Sequence, residues 1–263
     1  MVQLFKEDIK TSEVLAWKGV HLFHFSGSSC SQKTRIVLNL KGIEWVSHPV
    51  NLLKAENYNQ WYLGINPRGL LPALVHNGDV HIESNDIVSY LDETFDIPKL
   101  IPSNHRGRIL EQLNTEDELH LDLRTLTFGF CLPKFLTRKP PAALNALESN
   151  EGTVEGKIDS HKKVQLAFWR ELAEHGVTTD QAINAAKRFK KAFSSVEQQL
   201  AGQAFLYGDE ISIVDIVWFI YAHRLRSTGY PFKRLHPGLT SWYHAMLARP
   251  EIAKEVADPA PLR

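Results

Sequence analysis

The chain has 263 residues, 43% of them hydrophobic and 23% charged, the balance of a soluble globular protein of one or two domains with a real core. Lys plus Arg and Asp plus Glu number 30 each, so no net charge draws the chain to nucleic acid or to an anionic membrane. Any ligand must be recognised by a local site.

Residues 1–18 carry acidic side chains and lack an apolar stretch long enough for a secretory signal, and they read as an N-terminal extension or edge cover. "VHLFHF" (20–25) is β-branched and aromatic enough for a strand. A cluster of hydroxyls and a thiol follows, Ser26, Ser28, Ser29, Cys30 and Ser31, and leads into a helix with Ile36, Val37 and Leu40 at helical spacing. Gly42 closes that helix. "EWVSHPV" (44–50) predicts a second strand, which Pro49 confines to an edge or an end. A short helix is expected within 55–65, with Trp61, Leu63 and Ile65 as its apolar contacts.

"LPALVHNGDVHIES" reads as two strands joined by an Asn77-Gly78 turn, and Ser84 as the cap of a helix burying Ile87, Val88, Tyr90, Leu91 and Phe95. The order through residue 95 is therefore β-α-β-α-β-β-α. "DIPKLIPSN" (96–104) is a linker, and residues 105–263 read as helical. Within them a long helical stretch is expected over 105–131, then an irregular insert over 132–157. Further helices are expected at 158–175, 180–200, from Ser212, and near 240–248 and 250–256. The run "ISIVDIVWFIYAHRL" is too short to cross a membrane and contains Asp215, so it predicts a buried helix, with "SIVD" as a capping box. The fold class is α/β plus all-α. Cys30 and Cys131 form neither a CxxC pair nor a disulfide framework, a pattern suited to a reducing compartment, so a cytoplasmic location is expected.

Three places carry chemistry. A strand running directly into a hydroxyl-rich helix start offers N–H groups and the positive end of a dipole to an anion. There Ser28 through Ser31 can add hydroxyl donors, Cys30 can become a thiolate, and the same field would act on a bound thiol; plain capping by Ser28 or Ser29 is the simpler alternative. Leu71-Pro72 opens a strand with a residue that has no N–H, which leaves the Leu71 backbone to pair with a peptide-like ligand and permits a cis bond. Glu83-Ser84 at a helix start suits a ligand with an ammonium and a carboxylate, as an α-amino acid has; simple capping explains it too. No metal is called for.

These three places, set in one β-α-β-α-β-β-α frame, carry a resemblance to glutathione transferases. "SSCSQKTRIVLNLKGIEW" resembles the SSCS motif of zeta-class members, typically maleylacetoacetate isomerases, and the S-x-C-S motif of bacterial tetrachlorohydroquinone reductive dehalogenases. "INPRGLLPALVHNGDVHIES" is similar to the family's N-P-x-G-x-V/L-P stretch ending in E-S, and to the matching segment of lignin β-etherases. "SIVD" and "HPGLTSWYHAMLARPEI" resemble the family's late helical pattern, so the resemblance runs over residues 19–256. The chain departs from the zeta pattern at Lys33 and Glu83, where zeta members usually carry Arg and Gln.

The resemblance implies a thioredoxin-like domain at 19–95 and an all-helical domain at 105–263. It implies Ser28 as the hydroxyl holding the glutathione thiolate and Cys30 at the position of the dehalogenase cysteine. Leu71 would pair with the cysteinyl backbone beside a cis-Pro72, and Glu83 and Ser84 would hold the γ-glutamyl amine and carboxylate. The implied activity is transfer of glutathione to a small hydrophobic electrophile, in detoxification or aromatic catabolism, by a homodimer. The alternatives are Cys30-dependent thiol transfer, dehalogenation or aryl-ether cleavage, and a non-catalytic binding module. His120, Arg124, Thr127 and Phe128 fall at helical spacing where the family builds its second-substrate wall, a pattern that ordinary helix packing also produces.

Overall fold

The computed structural model describes residues 1–133 and 137–256; positions 134–136 of the insert and 257–263 of the C-terminal stretch lie outside them. In chain order the elements are β1 (Val20–His24), α1 (Ser29–Leu40), β2 (Val46–Pro49), α2 (Gln60–Leu63), β3 (Ala73–His76), β4 (Asp79–Ile82) and α3 (Ser84–Thr94). Then come α4 (Arg106–Glu118), α5 (His120–Phe130), α6 (Pro141–Ser149), β5 (Thr153–Val154), β6 (Lys157–Ile158), α7 (His161–His175) and α8 (Thr179–Gln199). The described chain ends with α9 (Ile213–Arg226), α10 (Phe232–Leu235), α11 (Pro237–Leu247) and α12 (Pro250–Ala253). The βαβαββα order is as the sequence predicts, and the rest is helical except for the β5–β6 hairpin, which the all-helical expectation for 105–263 does not include.

The sheet runs β2-β1-β3-β4, with β1 parallel to β2 and antiparallel to β3. Pro49 lies in the edge strand β2, where its missing N–H is harmless. The opposite edge is covered by the N-terminal residues: the Leu4 N–H donates to Val80 O at 2.9 Å, the Ile82 N–H to Val2 O at 3.1 Å, and Gln3 bridges His81. That contact saturates backbone groups that would otherwise template pairing with another chain.

Compactness divides the described residues into one unit drawn from 1–34, 42–91 and 137–176, and another from 35–41, 92–133 and 177–256. The insert is not irregular: it holds α6 and the β5–β6 hairpin. Its place in the first unit has a plain cause. Val154 joins a core of Leu4, Ile9, Val14, Phe23, Tyr62, Ile65 and Val75, while Leu147 and Leu166 pack with Ala55, Tyr58 and Leu63. Each such leucine contributes about 2 kcal/mol through its burial. The predicted core residue Trp61 is exposed instead, and Tyr62 beside it is buried.

In the second unit the predicted long helix over 105–131 is two helices, α4 and α5, parted at Leu119. Phe189, Phe193, Val196 and Leu200 line the buried face of α8, as their spacing predicts. Helix α9 is buried on nearly every side, which explains its unbroken apolar run. Its start is fixed by Asp215, whose carboxylate accepts from the Ser212 N–H (2.9 Å) and hydroxyl (2.7 Å) and from the Leu206 N–H (2.9 Å). No described helix is long and apolar enough to cross a membrane.

Candidate functional site

The strand register brings three separate stretches together. Phe23 pairs with Ala73, and Ala73 pairs with Ile82. One row of the sheet therefore joins the end of β1, the start of β3 and the end of β4. Beyond that row lie Ser28, Leu71-Pro72 and Glu83-Ser84, so residues up to 56 positions apart in sequence meet at one end of the sheet.

At the first stretch the Ser28 N–H donates to Phe25 O (3.1 Å), closing the turn after β1, and Ser28 O accepts from the Gln32 N–H (2.8 Å). Ser28 Oγ accepts from the Ser31 N–H at 3.3 Å, which makes Ser28 the N-cap of α1. Cys30 falls in the first turn of that helix as a half-buried thiol outside any disulfide. Cys131, the other cysteine, has its thiol pushed up by burial, with Arg224 opposing, the direction of an inert side chain.

At the second stretch the Leu71–Pro72 bond is cis. The preceding loop is held firmly: Tyr62 Oη (2.6 Å) and Asn66 Nδ2 (2.9 Å) both donate to Leu70 O, and Asn57 Nδ2 donates to Gly69 O (2.7 Å). Gly69 has φ +61, and a Cβ there would meet the Tyr58 ring at 2.8 Å, so no other residue fits the turn. The backbone of Leu71 makes no hydrogen bond among the described residues.

At the third stretch Glu83 has φ 66, in the left-handed region, and Ser84 is the first residue of α3 and not the residue before it. The expectation that Ser84 caps from outside the helix is corrected: the turn taken by Glu83 already starts the helix one residue earlier. Ser84 is buried, and Lys33 Nζ donates to Asn85 Oδ1 (2.6 Å), tying α1 to the same helix start.

Two charged residues of this site were not picked out from the sequence. Arg68 donates from Nη1 to Glu83 Oε1 (2.6 Å), from Nε to Asp159 Oδ2 (2.6 Å) and from Nη2 to Asp159 Oδ1 (3.2 Å). Burial works against the charged guanidinium, but hydrogen bonds to Asp159 and the charge of Glu83 outweigh it and raise its pKa. Burial likewise pushes the Asp159 carboxyl up, yet the Arg68 hydrogen bond and charge prevail and hold it below the ordinary carboxylate range. Arg68 sits inside the quoted "INPRGLLP" stretch, where a charged residue among apolar neighbours was the available signal. Asp159 had none, because nothing local tells that the segment between the insert and α7 folds back onto this loop.

Residues 27–94 match the family described as glutathione S-transferase, N-terminal domain, and residues 165–245 match glutathione S-transferase, C-terminal domain. A maleylacetoacetate isomerase of Rattus norvegicus is 35% identical over 169 residues, 56% of this chain and 72% of the relative. Protein LigF of Sphingobium sp. strain SYK-6 is 28% identical over 242 residues, 88% of this chain and 90% of LigF. The crystal structure of LigF, described as a β-etherase, superposes with a TM-score of 0.76 at 26% identity, covering 91% of this chain and 99% of that one.

Proposed function

The chain belongs to the glutathione S-transferase family, and on that premise we propose that it binds glutathione at the end of the sheet marked by Ser28, Pro72 and Glu83, and transfers it to a small hydrophobic electrophile. The observation that carries this reading is the register row Phe23–Ala73–Ile82, which brings to one end of the sheet an anion-favouring helix start, a Leu71 backbone with no hydrogen bond among the described residues, and a carboxylate.

Each part has a physical task. The Ser28 hydroxyl donates to the glutathione sulfur while the α1 N-terminus adds its positive field, so the thiolate forms at lower pH than in water. The Leu71 backbone pairs with the cysteinyl residue as one more strand would. Glu83 accepts the γ-glutamyl ammonium, and Ser84 with the first N–H groups of α3 holds the α-carboxylate. The thiolate then attacks an electrophilic carbon: a carbon–sulfur bond forms, and the leaving group departs with the bonding electron pair.

The likeness to LigF along almost the whole chain favours an ether carbon, with an aryloxide leaving group. A second reading has Cys30 as the nucleophile, supported by its place in the first turn of α1 beside Ser28. A homodimer in the reducing cytoplasm is part of the same proposal.

The test is glutathione conjugation with chlorodinitrobenzene and with a β-aryl ether, in wild type, Ser28→Ala and Cys30→Ala. Ser28→Ala is expected to lose on the order of 100-fold in turnover, the loss typical of one transition-state donor. Cys30→Ala is expected to stay within a few-fold of wild type. Collapse in Cys30→Ala with Ser28→Ala unharmed would pass the lead role to the cysteine.

A further inference from the structure

Arg68 raises a problem for any ligand ammonium at Glu83. An arginine 2.6 Å from that carboxylate would satisfy it and cancel its charge, leaving little attraction for a second cation. The short connection between the insert and α7 supplies what offsets this. Asp159 takes the guanidinium on Nε and Nη2, the two groups away from Glu83, with both of its own oxygens. The three groups then carry one net negative charge, and Glu83 Oε2 makes no hydrogen bond among the described residues.

We propose that Asp159 is a positioning residue for the amine end of glutathione, holding Arg68 so that Glu83 keeps a fixed orientation and an uncancelled charge toward the γ-glutamyl ammonium. This rests on the reading that the chain binds glutathione.

The insert is fastened so that the carboxylate stays in place. The backbone and charge of His161, at the start of α7, also favour the ionised Asp159 carboxylate. Asn150 Nδ2 donates to Pro67 O (3.0 Å), and a Cβ at Gly152 would lie 2.5 Å from the Pro67 side chain, so the insert presses directly on the loop that carries Arg68. On the other side of the hairpin, Asp8 accepts from the Thr153 hydroxyl and from the Gly156 N–H. The αL conformation of Glu83 is one that a non-glycine residue adopts only when its surroundings hold it, and Arg68 with Asp159 provides that hold.

The experiment compares two ligands that differ only at the amine: glutathione and glutaryl-cysteinylglycine, in which the ammonium is replaced by hydrogen. Binding of both is measured by calorimetry on the full chain as wild type, Asp159→Asn, Asp159→Glu and Arg68→Lys. Wild type is expected to prefer glutathione. Asp159→Asn weakens glutathione roughly tenfold, the size of one lost charge-assisted interaction, while the deaminated ligand changes less than about twofold. Asp159→Glu restores most of the preference. Arg68→Lys, which keeps the charge but cannot bridge both carboxylates in one plane, reduces it in the same way.

Equal weakening of both ligands in the two disruptive variants means a structural role only and overturns the proposal, as does an unchanged preference in either. If wild type binds neither ligand, the glutathione reading itself fails and this assignment falls with it. If wild type binds both equally, Glu83 does not receive an ammonium and only the assignment falls.

Discussion

The Ser31 N–H donates to Ser28 Oγ at 3.3 Å, so the residue that caps α1 is also the one proposed to stabilise a bound thiolate. The oxygen accepts from the helix, and its own proton remains for a sulfur. Capping and the proposed thiolate activation would thus use different ends of the same hydroxyl.

A first prediction separates those two roles. At 3.3 Å the cap is long, so Ser28→Ala is expected to lower unfolding free energy by only about 0.5–1 kcal/mol. Urea denaturation measures this. A loss of several kcal/mol would mean that the missing activity of the variant reports misfolding and not chemistry.

Gly69→Ala is expected to destabilise the first unit by about 2 kcal/mol, because an L-residue is strained at φ +61 and its Cβ would collide with the Tyr58 ring. The damage should reach function, since Asn57 Nδ2 holds Gly69 O and the loop leads directly into Leu71-Pro72. Thermal melts read the stability, and a several-fold rise in the KM for glutathione with a smaller change in kcat reads the displaced backbone. An unchanged KM would detach this loop from the site.

His81 gives a pH dependence. Its ring is buried and stacked on Tyr90 at 3.8 Å, and burial, with the nearby His76, lowers its pKa to about 4 despite the opposing charge of Asp79. The folded value lies below that of the unfolded chain, so the unfolded state binds the proton first as pH falls. Stability attributable to this residue is intact above about pH 6.5 and declines toward pH 4, by roughly 3 kcal/mol in total. His81→Phe keeps a flat ring without the titration, so its unfolding free energy should fall less than that of wild type between those pH values. Parallel decline in the two proteins would refute the assignment.

Much of this was legible in the sequence, for identifiable reasons. Asn77-Gly78 fixed the hairpin, and with it the pairing of Ala73 with Ile82 that closes the site. "SIVD" announced the Ser212–Asp215 cap, which the structure shows with both donors in place. Ser28, Pro72 and Glu83 were readable because each interrupts a strand or starts a helix with a residue whose backbone or side chain suits a ligand.

What was not legible depends on long-range packing. Asp159 reaches Arg68 across 91 positions, and Leu147 and Leu166 of the insert region pack on Tyr58 and Leu63. Prolines 133, 140 and 141 made the insert look irregular, yet Pro141 begins α6, where its missing N–H does no harm. Trp61 reads as an apolar contact by its chemistry, but at α2 its indole N–H donates to Glu13 (2.8 Å) at the surface, and Tyr62 fills the core instead.

Ser28 is proposed to stabilise the thiolate of bound glutathione, and ultraviolet titration of that thiolate in the complex measures this directly. For wild type and Cys30→Ala the bound thiol should ionise at least one pH unit below a free thiol, whose pKa is about 8.5. In Ser28→Ala the value should return close to that of the free thiol. Normal ionisation in Ser28→Ala, or its loss in Cys30→Ala alone, would contradict the account.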